Sequence, residues 1–325
     1  MGVFATGQRL VDTALDRAVV PGYSRLGFWI RHAGWSDNDP RAGALAGATA
    51  LVTGANSGIG KATSRALAAL GATVLMTVRD RDRGEAARRE ILAALPDGNI
   101  QVEVCDVSSL SGVRAFAADV AARVPRLDVV IHNAGLLPDA RCETAEGYEL
   151  TLATHVLGPV LLTEQLAAVL ASAPDPRVIL VSSGGMYTQQ LPVDDPEYRH
   201  GTYRGATAYA RTKRIQVALT PILAQRWGAR GITVASMHPG WADTPGVATS
   251  LPGFRRLTAP LLRSPEQGSD TIVWLSATAP TPPTGLFWHD RRPRPEHYLP
   301  TTRHIEPDRE RVWRYCADAI GVSAR

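Results

Sequence analysis

A tyrosine and a lysine one helical turn apart are the first residues that could do chemistry. Tyr209 and Lys213 belong to the segment YARTK, which opens a strongly helical stretch, so both side chains are expected on one face of a helix. A free phenol titrates near pH ~10. A neighbouring ammonium stabilises the phenolate and brings the pKa of the phenol toward a value suited to proton exchange. The spacing therefore predicts a general acid/base supported by a cation.

Two serines, Ser182 and Ser183, end a predicted strand upstream of this pair. Ser183 is expected to donate a hydrogen bond to the substrate oxygen that receives the Tyr209 proton, as in an oxyanion site. Lys213 would also hold the ribose hydroxyls of a dinucleotide. Together these residues predict proton exchange with a carbonyl or alcohol oxygen, while a nicotinamide ring exchanges a hydride with the adjoining carbon.

A glycine-rich turn supplies the expected dinucleotide site. The segment TGANSGIGK, Thr53 to Lys61, follows one predicted strand and precedes a helix. Its glycines allow a tight turn, a close approach of the backbone to a pyrophosphate and a helix N-terminus aimed at the anion. A nucleotide-hydrolysing P-loop would need a glycine at Ala55 and a hydroxyl at Ala62, so it is disfavoured. The predicted binding residues in this turn are Gly54, Asn56, Ser57, Gly58, Ile59 and Gly60.

The end of the second predicted strand bears on the choice of cofactor. A carboxylate there would bind the adenine ribose, whereas a guanidinium can pair with a 2′-phosphate. Arg79 therefore predicts NADP(H), with Lys61 or Ser57 as helpers. Asp80 stands one residue further on and keeps NAD as the less favoured alternative.

A further acidic position follows the third predicted strand. Asp106 and Val107 are expected to flank the adenine ring. An aspartate after a strand is also a common helix cap, and the two roles are compatible.

Alternating strand and helix patterns predict the fold. They indicate an α/β protein with a single Rossmann-type, doubly wound parallel sheet and helices on both faces. The predicted strands are Thr49 to Thr53, Thr73 to Val78, Ile100 to Val104, Leu127 to His132, Arg177 to Ser182 and Ile232 to Met237. The predicted helices are Ile59 to Leu70, Arg83 to Ala94, Leu110 to Arg123, Glu146 to Leu170, Thr207 to Trp227 and Asp308 to Ile320.

Two flanking segments do not follow this alternation of strands and helices. The chain is therefore predicted to consist of three parts. Residues 1–45 form an N-terminal amphipathic extension, 46–290 the NADP-binding domain with its substrate loop, and 291–325 a tail with a terminal helix. In the extension, apolar residues recur at helical spacing and an aromatic and basic stretch follows. Residues 1–40 either lie on a membrane surface or dock onto their own domain. The recurring residues are Phe4, Val11, Leu15 and Val19.

Composition excludes several classes of protein. The 325 residues are 45% hydrophobic and 20% charged, as in a soluble globular protein. The net charge of +4 is too small and too dispersed for a nucleic-acid surface. Three widely separated cysteines predict a reducing, cytoplasmic location. The sequence shows neither an export signal nor an uninterrupted run of ~18 apolar residues, so neither export nor a membrane span is expected.

The histidines and arginines of the tail carry little functional information. His289, His297 and His304 are scattered, so no metal site is expected there. The basic run at Arg291, Arg292 and Arg294 is interpreted as a solvated loop, although it could bind an acidic partner.

Taken together, the motifs make the chain similar to the short-chain dehydrogenase/reductase family over about Ala44 to Thr284. By that resemblance, residues 133–135 stabilise the sheet beside the cofactor. A set of three residues in the segment that follows the sixth strand binds nicotinamide, and the second of the two serines is catalytic. The residues so assigned are Asn133, Ala134, Gly135, Pro239, Gly240, Thr244 and Ser183. The motifs are TGANSGIG at 53–60, CDV at 105–107, HNAG at 132–135, VSS at 181–183, YARTK at 209–213 and HPGWADT at 238–244.

Finer features resemble one branch of that family. The spacing from Ser183 to Tyr209 and the VRD after the second strand are similar to the retinol-dehydrogenase-like branch, which usually takes NADP. The tail FWHDRRPRPEH and the segment YSRLGFWIRHAGW look more similar still to the group named dehydrogenase/reductase SDR family member 12. The resemblance implies an NADP-dependent oxidoreductase acting on a carbonyl or on a primary or secondary alcohol, and a homodimer or tetramer.

Two segments are expected to shape the substrate pocket, residues 184–206 and 241–264. An apolar lid would suit a lipophilic substrate and exclude water, although the same residues could form a packed helix. The lid candidates are Trp241, Val247, Leu251, Phe254, Leu257 and Leu261.

One position departs from the family pattern. His155 stands in THVLG where the family has an asparagine that supports the catalytic lysine through a water. We hypothesise that the imidazole is a working substitute in a proton relay. A local misalignment and weakened activity are the alternatives. A catalytically weak NADP-binding regulator and a membrane-surface interaction protein are therefore kept beside the enzyme hypothesis.

Overall fold

Short runs of aliphatic and β-branched residues form the strands of one sheet. In the computed structural model, which describes residues 11–244, 246 and 252–324, the strand order is β3-β2-β1-β4-β5-β6-β7-β8. Strands β1 to β7 are parallel, and β8 pairs antiparallel with β7. The strands are β1 Thr49–Thr53, β2 Thr73–Val78, β3 Ile100–Val104, β4 Val129–His132, β5 Arg177–Val181, β6 Thr233–Met237, β7 Leu286–His289 and β8 Arg292–Pro293.

The helices cover both faces of this sheet. One apolar layer lies under α3, α4 and α9, and the other lies under α5, α6, α7 and α10. The predicted doubly wound fold is confirmed, and the six predicted strands are present within two residues at each end. Helix α9 and strands β7 and β8 had not been predicted. The helices are α1 Val19–Tyr23, α2 Arg25–His32, α3 Gly58–Ala69, α4 Arg81–Ala94, α5 Leu110–Arg123, α6 Leu150–Leu170, α7 Gly205–Gly228, α8 Pro252–Thr258, α9 Pro265–Ala277 and α10 Glu306–Ile320.

Helix α6 is the most apolar helix of the core. It contains one π-helical turn at Ala153–Leu157. Its length and composition would allow it to cross a membrane, but 78% of its apolar window is buried inside the protein. Because a core helix meets the same criteria, this feature is weak evidence for a membrane span.

The N-terminal helices α1 and α2 dock on the carboxyl ends of β5, β6 and β7. Tyr23 and Phe28 are buried there. Arg31 is also buried and bonds Asp12 at 2.7 Å and Asp290 at 2.6 Å. The inner face of the predicted amphipathic extension therefore packs on its own chain. Phe4 lies outside the described residues.

Two arginines of the tail are structural rather than solvated. Arg291 forms two hydrogen bonds with Asp270 at 2.7 and 2.8 Å, and its guanidinium lies 4.2 Å from the ring centroid of Trp35. Arg294 is buried and bonds Asp12 at 2.8 and 2.9 Å. The interpretation of this run as a solvated loop is therefore wrong for Arg291 and Arg294, because each meets an acidic partner from elsewhere in the chain.

Candidate active site

The glycine turn is fixed to the neighbouring strand by a small hydrogen-bond network. The Thr53 hydroxyl accepts the backbone N–H groups of Asn133 and Ala134, both at 3.0 Å. The Asn133 amide donates to the carbonyls of Thr53 and Gly54 at 3.0 and 3.2 Å. These bonds join the carboxyl ends of β1 and β4, where a doubly wound sheet opens its ligand crevice.

The turn has the shape of a cradle that side chains would fill. A Cβ on Gly60 would lie 2.3 Å from the Gly54 carbonyl oxygen, and Gly54 itself has a φ of +65°. Ser57 precedes α3 without capping it through its side chain, so the N–H groups of the first turn are left for an anion. Glycines at these positions and an uncapped helix start fit the pyrophosphate of a dinucleotide.

The cation at the tip of β2 is available for a ligand. Arg79 is exposed and forms no hydrogen bond or ion pair within the described part of the chain. Asp80 instead caps α4 by accepting the Arg83 N–H at 3.0 Å. Lys61 bonds Glu90 at 2.6 Å, which leaves Arg79 as the better candidate for a 2′-phosphate.

The Asp106 segment forms a tight turn after β3. Its carboxylate accepts the Ser108 N–H and hydroxyl at 2.9 and 2.7 Å. Ser109, rather than Asp106, caps α5. Val107 is buried, and a Cβ on Gly158 would meet its carbonyl oxygen at 1.8 Å. The segment is thus held rigidly at the edge where the adenine ring is expected.

The catalytic candidates meet where α7 passes the end of β5. Lys213 is buried and donates from Nζ to the Val181 carbonyl at 2.7 Å. Its Nζ also lies 5.5 Å from the centroid of the Tyr209 ring. The Ser182 hydroxyl donates to the Lys213 carbonyl at 2.9 Å. Ser183 accepts the Gly185 N–H at 3.2 Å and begins the short 3-10 turn Gly184–Thr188.

Burial sets the protonation of this pair. It raises the pKa of Tyr209, although a hydrogen bond with Ser183 acts in the opposite direction. Burial lowers the pKa of Lys213 to about 7. The lysine therefore does not bring the phenol below its usual pKa here, contrary to the sequence-based expectation. Tyr209 is a neutral acid at neutral pH, beside an amine that is partly protonated.

His155 sits in the π-helical turn and bridges two elements of the site. Its Nε2 accepts the Leu136 N–H at 3.1 Å, so Nδ1 carries the proton and donates to the Thr212 hydroxyl at 2.8 Å. Burial, followed by repulsion from Lys213, holds its pKa well below the usual value. With both ring nitrogens engaged, the side chain holds α7 and the loop after β4 together. Neither ring nitrogen bonds Lys213 directly, and the role of His155 in a proton relay stays a prediction.

The nicotinamide candidates follow β6. The Pro239 carbonyl accepts a bond from Arg263 at 3.2 Å, and Gly240 donates to His238 Nδ1 at 3.3 Å. Thr244 ends this described stretch. The lid candidates Trp241 and Leu261 are half-buried. Val247 and Leu251 lie outside the described residues, as do the side chains of Phe254 and Leu257.

Sequence reasoning missed two residues at this end of the sheet, Tyr23 and Arg263. Both are buried against the turn that contains Pro239 and Gly240. Tyr23 precedes the turn in sequence by more than 200 residues, and no local pattern links them. The available signal was the pair of glycines, Gly184 and Gly240, that make room for these side chains.

Two tail histidines that look scattered in sequence are neighbours in space. The ligand atoms of Glu296, His297 and His304 lie within 4.8 Å of one another. However, Arg309 bonds the Glu296 carboxylate at 2.9 Å. Burial and then the nearby arginines Arg214 and Arg309 lower the pKa of both histidines, to about 4 for His297 and about 3 for His304. This positive surrounding opposes a cation, so the cluster carries no metal assignment.

Comparisons with known proteins place these motifs in a known family. The family model described as short chain dehydrogenase matches residues 48–252. Dehydrogenase/reductase SDR family member 12 from Bos taurus is 42% identical over 257 residues, covering 78% of this chain and 79% of the relative. Retinol dehydrogenase 14 from Mus musculus is 33% identical over 254 residues, covering 73% and 75%. A Pseudomonas aeruginosa RhlG/NADP active-site complex superposes with a TM-score of 0.61 at 25% identity, covering 75% of this chain and 94% of that chain.

The His155→Asn variant tests the bridging role of the imidazole. We expect turnover of a carbonyl compound with NADPH to stay within about tenfold of the wild type, because a neutral amide can replace one of the two hydrogen bonds. The matched control is His132→Asn, which removes another buried imidazole whose Nε2 bonds Thr163 at 2.7 Å. A loss of several orders of magnitude in His155→Asn alone would show that the imidazole does more than position α7.

Proposed function

Because the chain belongs to the short chain dehydrogenase family of oxidoreductases, in its retinol-dehydrogenase-like branch, we propose that it transfers a hydride between NADP(H) and a carbonyl or alcohol. The substrate would be a lipophilic small molecule. The observation that carries this proposal is the convergence of Ser183, Tyr209 and Lys213 at the end of β5, on the same edge of the sheet as the glycine turn.

The proposed roles follow from the geometry of the three side chains. In reduction, Tyr209 donates its proton to the carbonyl oxygen, and Ser183 donates a hydrogen bond to the same oxygen. A nicotinamide cofactor, when bound, would supply the hydride to the carbonyl carbon or accept it in oxidation. The phenolate left on Tyr209 is stabilised by Lys213, whose proton affinity rises as the neighbouring negative charge appears. A neutral phenol beside a titrating amine suits this transfer near neutral pH.

The Tyr209→Phe variant tests this mechanism. Purified protein is incubated with NADPH and a panel of carbonyl compounds, and NADPH oxidation is followed. We expect the wild type to turn over at least one compound, and the variant to lose roughly a hundredfold or more because its general acid is gone. NADPH affinity should change little, since the ring remains in place.

Two outcomes of this assay would contradict the proposal. Equal turnover by Tyr209→Phe would remove the phenol from the mechanism. Tight NADPH binding by the wild type, without turnover of any compound, would favour the alternative of a catalytically weak NADP-binding regulator.

The preference for NADP(H) rests on the contrast between Arg79 and Asp80. Arg79 is exposed and unpaired among the described residues, whereas the Asp80 carboxylate is engaged as a helix cap. A guanidinium can pair with a 2′-phosphate through two parallel hydrogen bonds. A carboxylate already committed to a backbone N–H is a weaker partner for a ribose hydroxyl.

The Arg79→Ala variant tests this preference. We expect its Kd for NADPH to rise by roughly tenfold or more, because a charge-assisted bidentate contact contributes about 1.5–3 kcal/mol. Its Kd for NADH should change less than about twofold. Arg89→Ala, which removes an exposed cation further along α4, is the matched control. Equal losses of NADPH and NADH affinity would contradict the assignment.

Peripheral membrane contact through residues 1–40 is a second proposal, supported by the outer face of the N-terminal helices. Apolar side chains are exposed on the surface opposite the docked face. An interfacial helix places such residues into the headgroup region. The exposed side chains are Val11, Val19, Val20, Leu26, Trp29 and Ile30. A cytoplasmic location and a homodimer or tetramer remain predictions.

Replacing Trp29 and Ile30 together by serine tests membrane contact without disturbing the docked face. We expect the affinity for phosphatidylcholine/phosphatidylserine vesicles, measured by flotation, to fall by roughly a hundredfold or more, because each large apolar side chain contributes about 1.5–3 kcal/mol when it is fully buried. The control replaces Leu299 and Ile305, which are also exposed, by serine. If the wild type does not float with the vesicles, or if the two double variants float equally, this face does not bind membranes.

A further inference from the structure

The N-terminal segment places a buried aromatic ring against the residue that follows Ser183. Tyr23 is 2% exposed. A Cβ on Gly184, the residue after Ser183, would lie 2.6 Å from Cε2 of the Tyr23 ring. The ring centroid of Tyr23 lies 4.5 Å from that of His238 and 6.2 Å from that of Trp241. The ring therefore occupies the space between the loop that follows β5 and the turn that follows β6.

Backbone contacts fix the same segment to the turn after β6. The Tyr23 carbonyl accepts the Trp241 N–H at 2.8 Å. A Cβ on Gly240 would meet this carbonyl oxygen at 2.7 Å. Gly240 also has a φ of +75°, a conformation that favours glycine, and the space beside it is filled by the Tyr23 carbonyl and the Arg263 side chain.

One buried arginine joins these pieces into a single unit. Arg263 is 1% exposed and bonds the carbonyls of Pro239, Gly22 and Ser24 at 3.1–3.2 Å. Asp290 neutralises it through two bonds of 2.6 and 2.8 Å. Displacing the N-terminal segment would leave a desolvated guanidinium short of two acceptors, which is costly.

We propose that Tyr23 is a positioning residue for hydride transfer, through which the segment Val19–His32 holds Ser183 in register with the predicted nicotinamide-binding turn at Pro239 and Gly240. This inference rests on the proposed function. The Tyr23 hydroxyl is buried without a hydrogen-bond partner among the described residues, so the ring, and not the hydroxyl, fixes the two loops. Small displacements of a reacting group lower rates strongly, because the reactive geometry is narrow.

The test compares Tyr23→Ala with two controls. Tyr23→Phe keeps the ring, and Phe116→Ala removes a buried ring from α5. Two quantities are measured in folded protein: kcat with NADPH and a carbonyl compound, and the ratio of the affinities for NADPH and 2′,5′-ADP. The second ligand lacks the nicotinamide half. The ratio therefore reports on the nicotinamide turn without requiring turnover.

We expect Tyr23→Ala to lower kcat by roughly tenfold or more and to lower the NADPH to 2′,5′-ADP affinity ratio by a similar factor. Tyr23→Phe should stay within about twofold in both measurements, as should Phe116→Ala, whose ring belongs to a different hydrophobic cluster from that of Tyr23. Equal effects of Tyr23→Ala and Phe116→Ala would overturn the proposal. The proposal would also be overturned if Tyr23→Ala kept both kcat and the affinity ratio within about twofold of the wild type.

A second variant covers the case in which Tyr23→Ala does not fold. Gly184→Ala places a methyl group against the Tyr23 ring while leaving Tyr23 itself unchanged. We therefore expect this variant to lower kcat and the affinity ratio. Adding Tyr23→Leu to the same chain should restore part of both, because the smaller side chain relieves the overlap. Failure of this rescue would count against the proposal.

The proposed function can fail separately from the positioning role. If the wild type turns over no carbonyl compound, the hydride-transfer function is wrong. The affinity ratio would still decide whether Tyr23 positions the turn, because it needs only binding.

Discussion

The divergence of the chain at the carboxyl ends of β1 and β4 is the constraint on which the site depends. β1 leads to α3 on one face of the sheet, and β4 leads to α6 on the other. A crevice must therefore open between two strands that are otherwise hydrogen-bonded neighbours. The Thr53 hydroxyl and the Asn133 amide satisfy the backbone groups that this opening exposes. The divergence of the chain therefore both opens the crevice to a ligand and creates the need for the hydrogen bonds of Thr53 and Asn133.

Helix α7 carries a buried lysine, Lys213, and the surrounding contacts explain how the fold tolerates it. An unpartnered ammonium at this depth would cost several kcal/mol. Burial shifts the pKa of Lys213 to about 7, and the Val181 carbonyl accepts a bond from its amine. His155 remains neutral for the same reason. Burial thus shifts both groups toward their neutral forms, and it also raises the pKa of Tyr209.

How much could be predicted from sequence depended on how local the signal was. Strands β1 to β6 and the strand-turn-helix geometry of the glycine turn follow from short runs of residues, and these predictions were confirmed. β7 and β8 are short and lie in a segment rich in arginine and proline, where the periodicity is too brief to detect. The position of His155 was identified as unusual, but its tautomer depends on Leu136 and Thr212, which only the fold brings together. The docking of the N-terminal segment was left open, because the deciding partners, Arg263 and Asp290, are more than 200 residues away in sequence.

The buried charges around Asp290 explain why the N-terminal segment Val19–His32 docks on the rest of the chain in a single register. Burial acts to raise the pKa of Asp290, and attraction from nearby cations, including Arg263 and Arg31, outweighs it. Apolar contacts through Tyr23 and Phe28 alone would not be directional, and a helix could rotate or slide with little change in buried area. Guanidinium groups demand acceptors at fixed angles, and here the acceptors are the Gly22 and Ser24 carbonyls. Any shift by one residue would break several of these bonds at once inside a desolvated region. The ionic cluster therefore sets the position of the aromatic ring, which lies between the loop after β5 and the turn after β6.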